Sequence, residues 1–305
     1  MSGWARLRRD RASMAALALI AALAFVAVFA EMVAPYDSGR QFLEVAPAST
    51  TTLNPLAPRE TGKFEAPSRA HVLGTDQLAR DILSRLVVGL RISLAAAAIA
   101  VVMVTALGVG IGTLAVAGPR WLDGVLMRVT DLAFAFPDLL LVILLRAALD
   151  GLLRGRDVPP EAPLLLLFFA ISITAWPTMA RLVRGQLLAI RATEYSAAAL
   201  ALGATPARVA WRHWLPNALG PVVVEATFLV PRVVFAEAAL SFIGIGAAPP
   251  TPSLGIMIAE HFEFARVQWT ALAFPVGLLA VLFLAFQLLG DGVRAALDPR
   301  TRHAP

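Results

Sequence analysis

Charged side chains inside long apolar segments are the residues of this chain whose types and spacing most suggest a chemical role. Glu225 and Arg232 lie seven positions apart in one such segment, so a helix would carry both on one face. A charge at the centre of a bilayer costs roughly 2.5–3.5 kcal/mol on insertion scales. Such a pair could form a polar wall of a transport pathway or pair structurally with neighbouring helices. Asp138 could line the same pathway or, beside Pro137, only shape a kink.

The sequence lacks the residue patterns of most catalytic, metal-binding and nucleotide-binding sites. The absence of cysteine excludes a disulfide framework, a thiolate zinc site and a cysteine nucleophile. The sequence has no evident nucleophile–base set, metal cluster or Gly-Lys-Ser/Thr phosphate loop, and its four histidines are scattered. The net charge of +5 comes without an RNA- or DNA-binding motif, so no nucleic acid partner is expected. We predict a chain that is not an enzyme and that binds neither a metal nor a cofactor.

A polar stretch between two apolar segments, which we call the elbow, comprises residues 193–217, TEYSAAALALGATPARVAWRHWLPN. Thr193 and the following Ala-rich run predict a short helix, and Gly203 predicts its break. Thr205-Pro206 predicts the cap and first turn of a second helix, which Leu215-Pro216 is predicted to end. A compact helical bend beside the bilayer indicates a docking surface for a soluble partner. An amphipathic helix lying on the membrane surface is the alternative.

The elements around these residues are predicted to be membrane-spanning helices. Hydrophobic residues make up 58% of the 305 residues and charged residues 15%, where soluble proteins carry about 25%. The mean hydropathy is +0.73, which indicates a helical protein that crosses the membrane several times. The six predicted spans are 14–33, 86–117, 121–149, 163–183, 218–245 and 269–289. The predicted divisions are an N-terminal tail (1–13), a first helix (14–33), an extracytoplasmic loop (34–85), a five-helix core with the elbow (86–290) and a C-terminal tail (291–305).

Arginine placement predicts the orientation, because short cytoplasmic loops are enriched in Lys and Arg. Six spans place both termini on one side of the membrane. The arginines assigned to that side are Arg6, Arg8, Arg9, Arg11, Arg120, Arg128, Arg181, Arg184, Arg191, Arg208, Arg212, Arg294, Arg300 and Arg302. The short loops of the opposite side hold Arg154, Arg156 and Arg266. We therefore expect the termini and the elbow in the cytoplasm.

Two further patterns concern the second predicted span. Its small residues Gly108, Gly110 and Gly112 predict a seam where another helix packs closely. The polar residues just before it are interpreted as an interfacial amphipathic turn, and spacing alone does not support their contact with a delivery protein. Those residues are Gln77, Arg80, Asp81 and Arg85.

The elbow resembles the EAA loop of bacterial ABC-importer permeases. The family pattern is Glu-Ala-Ala, three residues, Gly, nine residues, a hydrophobic residue, any residue and Leu-Pro. The matching positions are Ala198, Ala199, Gly203, Leu215 and Pro216. The segments HVLGTDQLARDILSRLVVGLRISL (71–94), LSFIGIGAAPPTPSLGIMI (240–258) and LGDGVRAALDPR (289–300) resemble the peptide and nickel importer branch. Spread over most of the chain in the right order, these segments form a specific set.

Two elbow positions depart from the family pattern. Ala197 stands where the family usually has Glu, and His213 stands at the hydrophobic position, although His followed by any residue and Leu-Pro-Asn is usual in this branch. A Glu at that position can form ion pairs with an ATPase, and Ala cannot. Either Glu194 compensates one turn earlier or the contact relies on apolar packing.

The resemblance implies an all-α, six-span type I ABC-importer permease in the bacterial inner membrane. Its elbow would be the coupling helix that fits a groove on a cytoplasmic ATPase. The residues assigned to that contact are Glu194, Ala197, Ala198, Ala199, Gly203, Arg208, Arg212, Leu215 and Pro216. The implied partners are a second homologous permease, two ATPase subunits that use the ATP, an extracytoplasmic solute-binding protein and the lipid bilayer. Glu225, Arg232 and Asp138 could then line a pathway for peptides with charged termini.

Substrate identity is not readable from this sequence, because the branch includes importers of peptides, nickel complexes and some sugars. Peptides are the expected substrate because they are the most frequent substrates of the branch. An ion-driven secondary transporter would usually need more spans and internal repeats, and it would not need the elbow. An intramembrane enzyme would need paired catalytic residues at matching depth, which the sequence does not offer.

Overall fold

Helices dominate the computed structural model, which describes residues 3–46, 59–153, 162–246 and 251–297. The N-terminal elements are α1 (Gly3–Leu7), α2 (Arg11–Val28), α3 (Ala30–Val33) and the short antiparallel strands β1 (Glu44–Ala46) and β2 (Arg59–Thr61). The next helices are α4 (Ile82–Ala117), α5 (Arg120–Phe134), α6 (Asp138–Leu153) and α7 (Ala162–Arg191). The remaining elements are α8 (Glu194–Ala201), α9 (Pro206–Val209), a π-helical turn (Ala210–Trp214), α10 (Leu215–Phe242), α11 (Leu254–Phe262) and α12 (Trp269–Leu297). The predicted helical fold class is confirmed.

Five of the described helices are long and apolar enough to cross a membrane, and a bent pair raises the number to six. The bent pair is α5 and α6, which meet at an angle of 94°. The predicted third span is therefore interrupted at residues 135–137 and is not one straight helix. Pro137 explains the break, because proline lacks an N–H and biases the preceding Phe136 away from helical backbone angles.

The chain forms two compact units. Unit 1 comprises residues 1–20, 96–236 and 283–305, and unit 2 comprises residues 21–95 and 237–282. Unit 1 contains the elbow together with α5, α6 and α7.

A close helix contact in unit 1 explains part of the glycine seam. A Cβ added at Gly108 would lie 2.5 Å from the Cβ of Met179, and one added at Gly112 would lie 2.8 Å from the backbone oxygen of Ala180. Glycine at these two positions of α4 therefore permits the approach of α7. The seam prediction is wrong for Gly110, where a Cβ would meet open space.

A buried ion cluster in unit 2 joins the segment before α4 and the first turn of α4 to α11. Asp76 accepts from Arg80 at 2.7 Å and from Arg85 at 2.5 Å, and Glu260 accepts from the same two guanidinium groups at 2.9 and 2.7 Å. Burial by itself raises the pKa of Asp76, but Arg85, Arg80 and two backbone N–H groups outweigh it and hold the pKa below its usual 3.8. An apolar cluster that includes Ile82 and Met257 adds to the attachment of α11.

This cluster overturns the interpretation of Arg80, Asp81 and Arg85 as an interfacial amphipathic turn. Their exposed fractions are 4%, 1% and 1%. Asp81 accepts the N–H and the hydroxyl of Ser84, and it pairs with Nδ1 of His71 at 2.9 Å. Buried charges need ionic or hydrogen-bonding partners. Here nearby residues supply most of them, and Glu260 of α11 supplies one from about 175 residues further along the chain.

Candidate functional site

The first half of the elbow is α8, and a regular C-terminal motif ends it at Gly203. The N–H of Gly203 donates to the carbonyl of Leu200, and the N–H of Ala204 donates to the carbonyl of Ala199. These two bonds form a Schellman motif, which needs a left-handed residue at the glycine position. Gly203 has φ +88°, so the predicted helix break is confirmed. At the other end, Thr193 takes the extended cap conformation, but its hydroxyl donates to the Ile190 carbonyl at 2.6 Å and does not cap α8.

The second half of the elbow begins as the sequence predicts. Pro206 occupies the first turn of α9, where its missing N–H costs nothing. The hydroxyl of Thr205 accepts the backbone N–H of Arg208 at 3.4 Å. Thr205 is therefore a helix cap, as predicted.

The predicted stop at Leu215-Pro216 is wrong. Helical backbone runs from Pro206 through the π-helical turn and α10 to Phe242. In the π turn the N–H of Leu215 donates to the carbonyl of Ala210, five residues earlier. Pro216 directly follows this wider turn, and α10 continues through Pro221 and Pro231 as well. The amide of Asn217 donates to the His213 carbonyl at 2.7 Å and satisfies that carbonyl beside the proline.

The predicted ATPase-contacting residues lie together on the elbow, and most are exposed. The exposed ones are Glu194, Ala197, Ala198, Gly203, Arg208, Arg212 and Pro216. Ala199 and Leu215 are half-buried. Three large side chains that the sequence analysis did not assign to this surface are also exposed: Tyr195 at 46%, Leu202 at 89% and Trp211 at 64%. The sequence contains a signal for the exposure of Leu202, because this large apolar residue directly precedes the glycine that ends a helix.

A buried hydrogen bond joins the two halves of the elbow. Nε1 of Trp214 in the π turn donates to the hydroxyl oxygen of Ser196 in α8 at 2.8 Å. Both residues are 0% exposed. The 18 positions between them hide this pair from reasoning based on local sequence patterns.

A cavity of about 140 Å³ in unit 1 brings together the three charged residues singled out in the apolar segments. Asp138 at the start of α6 lines it together with Glu225 and Arg232 of α10. Arg232 donates to Glu225 at 2.8 Å, so the two residues share one helix face, as their spacing predicts. The remaining lining residues are mostly apolar, with the hydroxyl groups of Thr174 and Thr178 from α7 among them. The cavity is a largely apolar space with a few charges on its wall.

Within the described ranges, no three His, Asp or Glu side chains are grouped so that they could hold a metal ion.

Comparisons with known proteins point to membrane transport. A sequence profile described as "binding-protein-dependent transport system inner membrane component" matches residues 105–303. A second profile, described as the N-terminal TM domain of oligopeptide transport permease C, matches residues 2–55.

Two curated relatives match nearly the whole chain. The oligopeptide transport system permease protein OppC of Bacillus subtilis (strain 168) is 35% identical over 297 residues, which cover 97% of this chain and 88% of that protein. The glutathione transport system permease protein GsiD of Shigella dysenteriae serotype 1 (strain Sd197) is 36% identical over 299 residues, covering 98% of this chain and 90% of the relative.

A solved structure shares the fold. It shows inward-facing conformations of the MetNI methionine ABC transporter and superposes with a TM-score of 0.56, covering 71% of this chain and 98% of that one. At 20% identity this likeness concerns the fold alone.

Proposed function

The chain belongs to the family of binding-protein-dependent transport system inner membrane components, and from this premise we propose that it carries di- and oligopeptides through an ATP-driven importer. It is a multi-pass inner membrane permease. The proposed peptide substrate is supported by the two relatives, which are named for oligopeptide and glutathione transport. Nickel complexes and other small solutes are the less favoured cargo, and an ion-driven mechanism has no support from the family.

The elbow geometry is the observation that carries the coupling part of the proposal. Its exposed surface combines small alanines, three large side chains and the charges of Glu194, Arg208 and Arg212. Small residues permit close approach, and the charges can select a complementary partner. We assign this surface to two cytoplasmic ATPase subunits, which hydrolyse the ATP, while this chain binds no cofactor.

The cavity supports a role in translocation. Its charged residues Asp138, Glu225 and Arg232 can interact with the charged termini of a peptide, and its apolar wall tolerates varied side chains. In the proposed complex, a second homologous permease supplies the other half of the pathway. An extracytoplasmic solute-binding protein delivers the peptide, and both termini of this chain lie in the cytoplasm.

The test is reconstitution of the full transporter in liposomes with a labelled tripeptide. Uptake should require ATP and the binding protein. Charge reversal by Glu194→Lys should leave ATP hydrolysis running without uptake, because it alters the contact with the ATPase. Arg69→Ala, an exposed change outside the elbow and cavity, is the control. Uptake by this chain alone without ATP would contradict the proposal, and unchanged uptake by the Glu194 variant would remove that residue from the contact.

A further inference from the structure

We propose that the hydrogen bond between Trp214 and Ser196 clamps the two halves of the elbow, so that they move as one body and transmit ATPase motion to the cavity wall. Trp214 and Ser196 are then positioning residues for coupling. The inference rests on the proposed function and extends it from the elbow surface to the interior of the elbow.

The pair is buried, although the elbow around it is small and largely exposed. Ser196 is 0% exposed, whereas its neighbours Tyr195 and Ala197 are exposed. Trp214 is also 0% exposed, while Trp211, three residues earlier, is 64% exposed. The indole N–H of Trp214 donates to Oγ of Ser196 at 2.8 Å. Without this hydrogen bond the N–H would be buried without a partner. The hydrogen bond therefore lies in the buried part of the elbow, on the side that packs against α7.

The clamp spans a short non-helical connection between the two halves of the elbow. Between α8 and α9 the chain makes a non-helical connection at residues 202–205, with Gly203 at φ +88°. A Cβ at Gly203 would meet no atom within 4 Å, so side-chain packing does not hold the connection at this point. Without a contact between Ser196 and Trp214, α8 could change its angle to α9 at this connection. A partner that pushed on α8 would then bend the elbow and leave α10 in place.

The clamp adjoins the ends of two other helices, α4 and α7. Arg191, the last residue of α7, donates to the carbonyl of Val116 at the end of α4 at 3.0 Å. The same guanidinium lies 5.9 Å from the ring centroid of Trp214, within the range of a cation–π contact. Trp214 thus touches α8 through its N–H and faces the tie between α4 and α7 through its ring.

Continuous helical backbone connects the clamp to the cavity. The π turn that carries Trp214 continues without a break into α10. Glu225 and Arg232 follow on this helix at about 16 Å and about 27 Å along its axis, at about 1.5 Å per residue. A displacement at Trp214 is therefore transmitted along a single helix to Glu225 and Arg232, the two charged residues that α10 contributes to the cavity.

The experiment uses the complete transporter in liposomes and measures the number of tripeptides imported per ATP hydrolysed. Trp214→Phe keeps an aromatic ring without the N–H, and Ser196→Ala removes the acceptor. Each variant should lower the ratio by about two- to tenfold, the equivalent of one net hydrogen bond. The double variant should be no worse than the more affected single variant, because both changes remove the same bond.

Matched controls separate coupling from general stability. Trp176→Phe changes another buried tryptophan of unit 1, and Ser172→Ala removes a buried hydroxyl that bonds within its own helix. Neither should alter the ratio, although either could lower the melting temperature.

The outcomes distinguish this inference from the proposed function. An unchanged ratio in both single variants, or losses that multiply in the double variant, would overturn the clamp. Failure of both single variants to assemble with the ATPase subunits would also overturn it, since the pair would then act in docking. A wild-type complex that imports no tripeptide with ATP would instead contradict the proposed function.

Discussion

At the residue scale, Gly203 shows how a single backbone angle shapes the candidate docking surface. Its φ of +88° suits glycine, whereas other L-residues pay roughly 1–2 kcal/mol in the left-handed region. A Cβ added at this position would meet no atom within 4 Å. The free-energy cost of a substitution therefore comes from the backbone conformation and not from a clash with neighbouring residues. The geometry of the turn between α8 and α9 therefore depends on this residue.

A residue at position 203 that resists the left-handed backbone conformation should weaken binding of the ATPase subunits to the elbow. Gly203→Val should strongly reduce co-purification of the ATPase subunits with the expressed transporter, because a β-branched residue resists φ > 0. Gly203→Asn should retain much of it, since Asn tolerates that region better. Gly185→Ala is the control, a helical glycine with open space around it. Full ATPase capture by the Val variant would show that the turn is not needed.

At the element scale, helices of unit 1 are joined by a specific ion pair. Arg184 of α7 donates through Nε and Nη2 to the two carboxylate oxygens of Asp123 in α5, at 2.6 and 2.7 Å. Such a bidentate pair has a fixed geometry. The pair joins the first turn of α5 to α7.

Exchange of the two charges tests this attachment. Asp123→Arg should lower the thermal midpoint in detergent, because it places two guanidinium groups side by side. The double variant Asp123→Arg with Arg184→Asp should recover part of the loss. Gly124→Ala, on the neighbouring residue with open space around it, should have little effect. Equal midpoints for the single and double variants would mean that the ion pair does not join the helices.

The attachment of α11 in unit 2 should make stability depend on pH. His261 is 1% exposed, and this burial lowers its pKa below the usual 6.5. The charge of Arg85 lowers the pKa further. A hydrogen bond to the Met257 carbonyl and two nearby carboxylates act in the opposite direction but do not cancel the shift. A depressed histidine pKa means that the unfolded chain binds the proton more readily. The stability contribution of neutral His261 is therefore complete above about pH 6.5 and is lost as the pH falls below it.

The expected result is a lower melting midpoint on acidification from about pH 7.5 to about pH 5.5. His261→Gln should make that dependence shallower, whereas His213→Gln, at an exposed histidine, should leave it unchanged. A midpoint with the same pH dependence in wild type and the His261 variant would exclude this histidine as the titrating group.

At the scale of the whole molecule, the arginine distribution predicts that the termini and the elbow share the cytoplasmic side. The natural absence of cysteine makes single-cysteine labelling a direct test. In intact cells that express the chain without its partners, a membrane-impermeant thiol reagent should label Arg69→Cys. It should label Arg9→Cys and Leu202→Cys only after permeabilisation. The three positions are exposed in the structure. Labelling of Leu202→Cys from outside would place the elbow on the wrong side for a cytoplasmic ATPase.

Much of the secondary structure could be predicted from the sequence alone, because it depends on residues that are close together in the chain. Runs of apolar residues long enough for a bilayer predicted the helices, and Gly203 and Thr205 predicted the boundaries in the elbow, because left-handed backbone and helix capping involve residues a few positions apart. The seven-residue spacing of Glu225 and Arg232 predicted their shared face for the same reason. The predicted stop at Pro216 was wrong because a proline does not always end a helix: α10 continues past Pro216, Pro221 and Pro231.

Only the tertiary structure decided which distant side chains meet. It placed Asp138 on the cavity wall with Glu225 and Arg232, buried Arg80 and Arg85 against Glu260, and joined Trp214 to Ser196. Each arrangement depends on the packing of separate elements, and a short sequence window carries no information about the energy of those contacts. An arginine before a span looks the same in the sequence whether it faces the membrane interface or a buried carboxylate contributed by another helix.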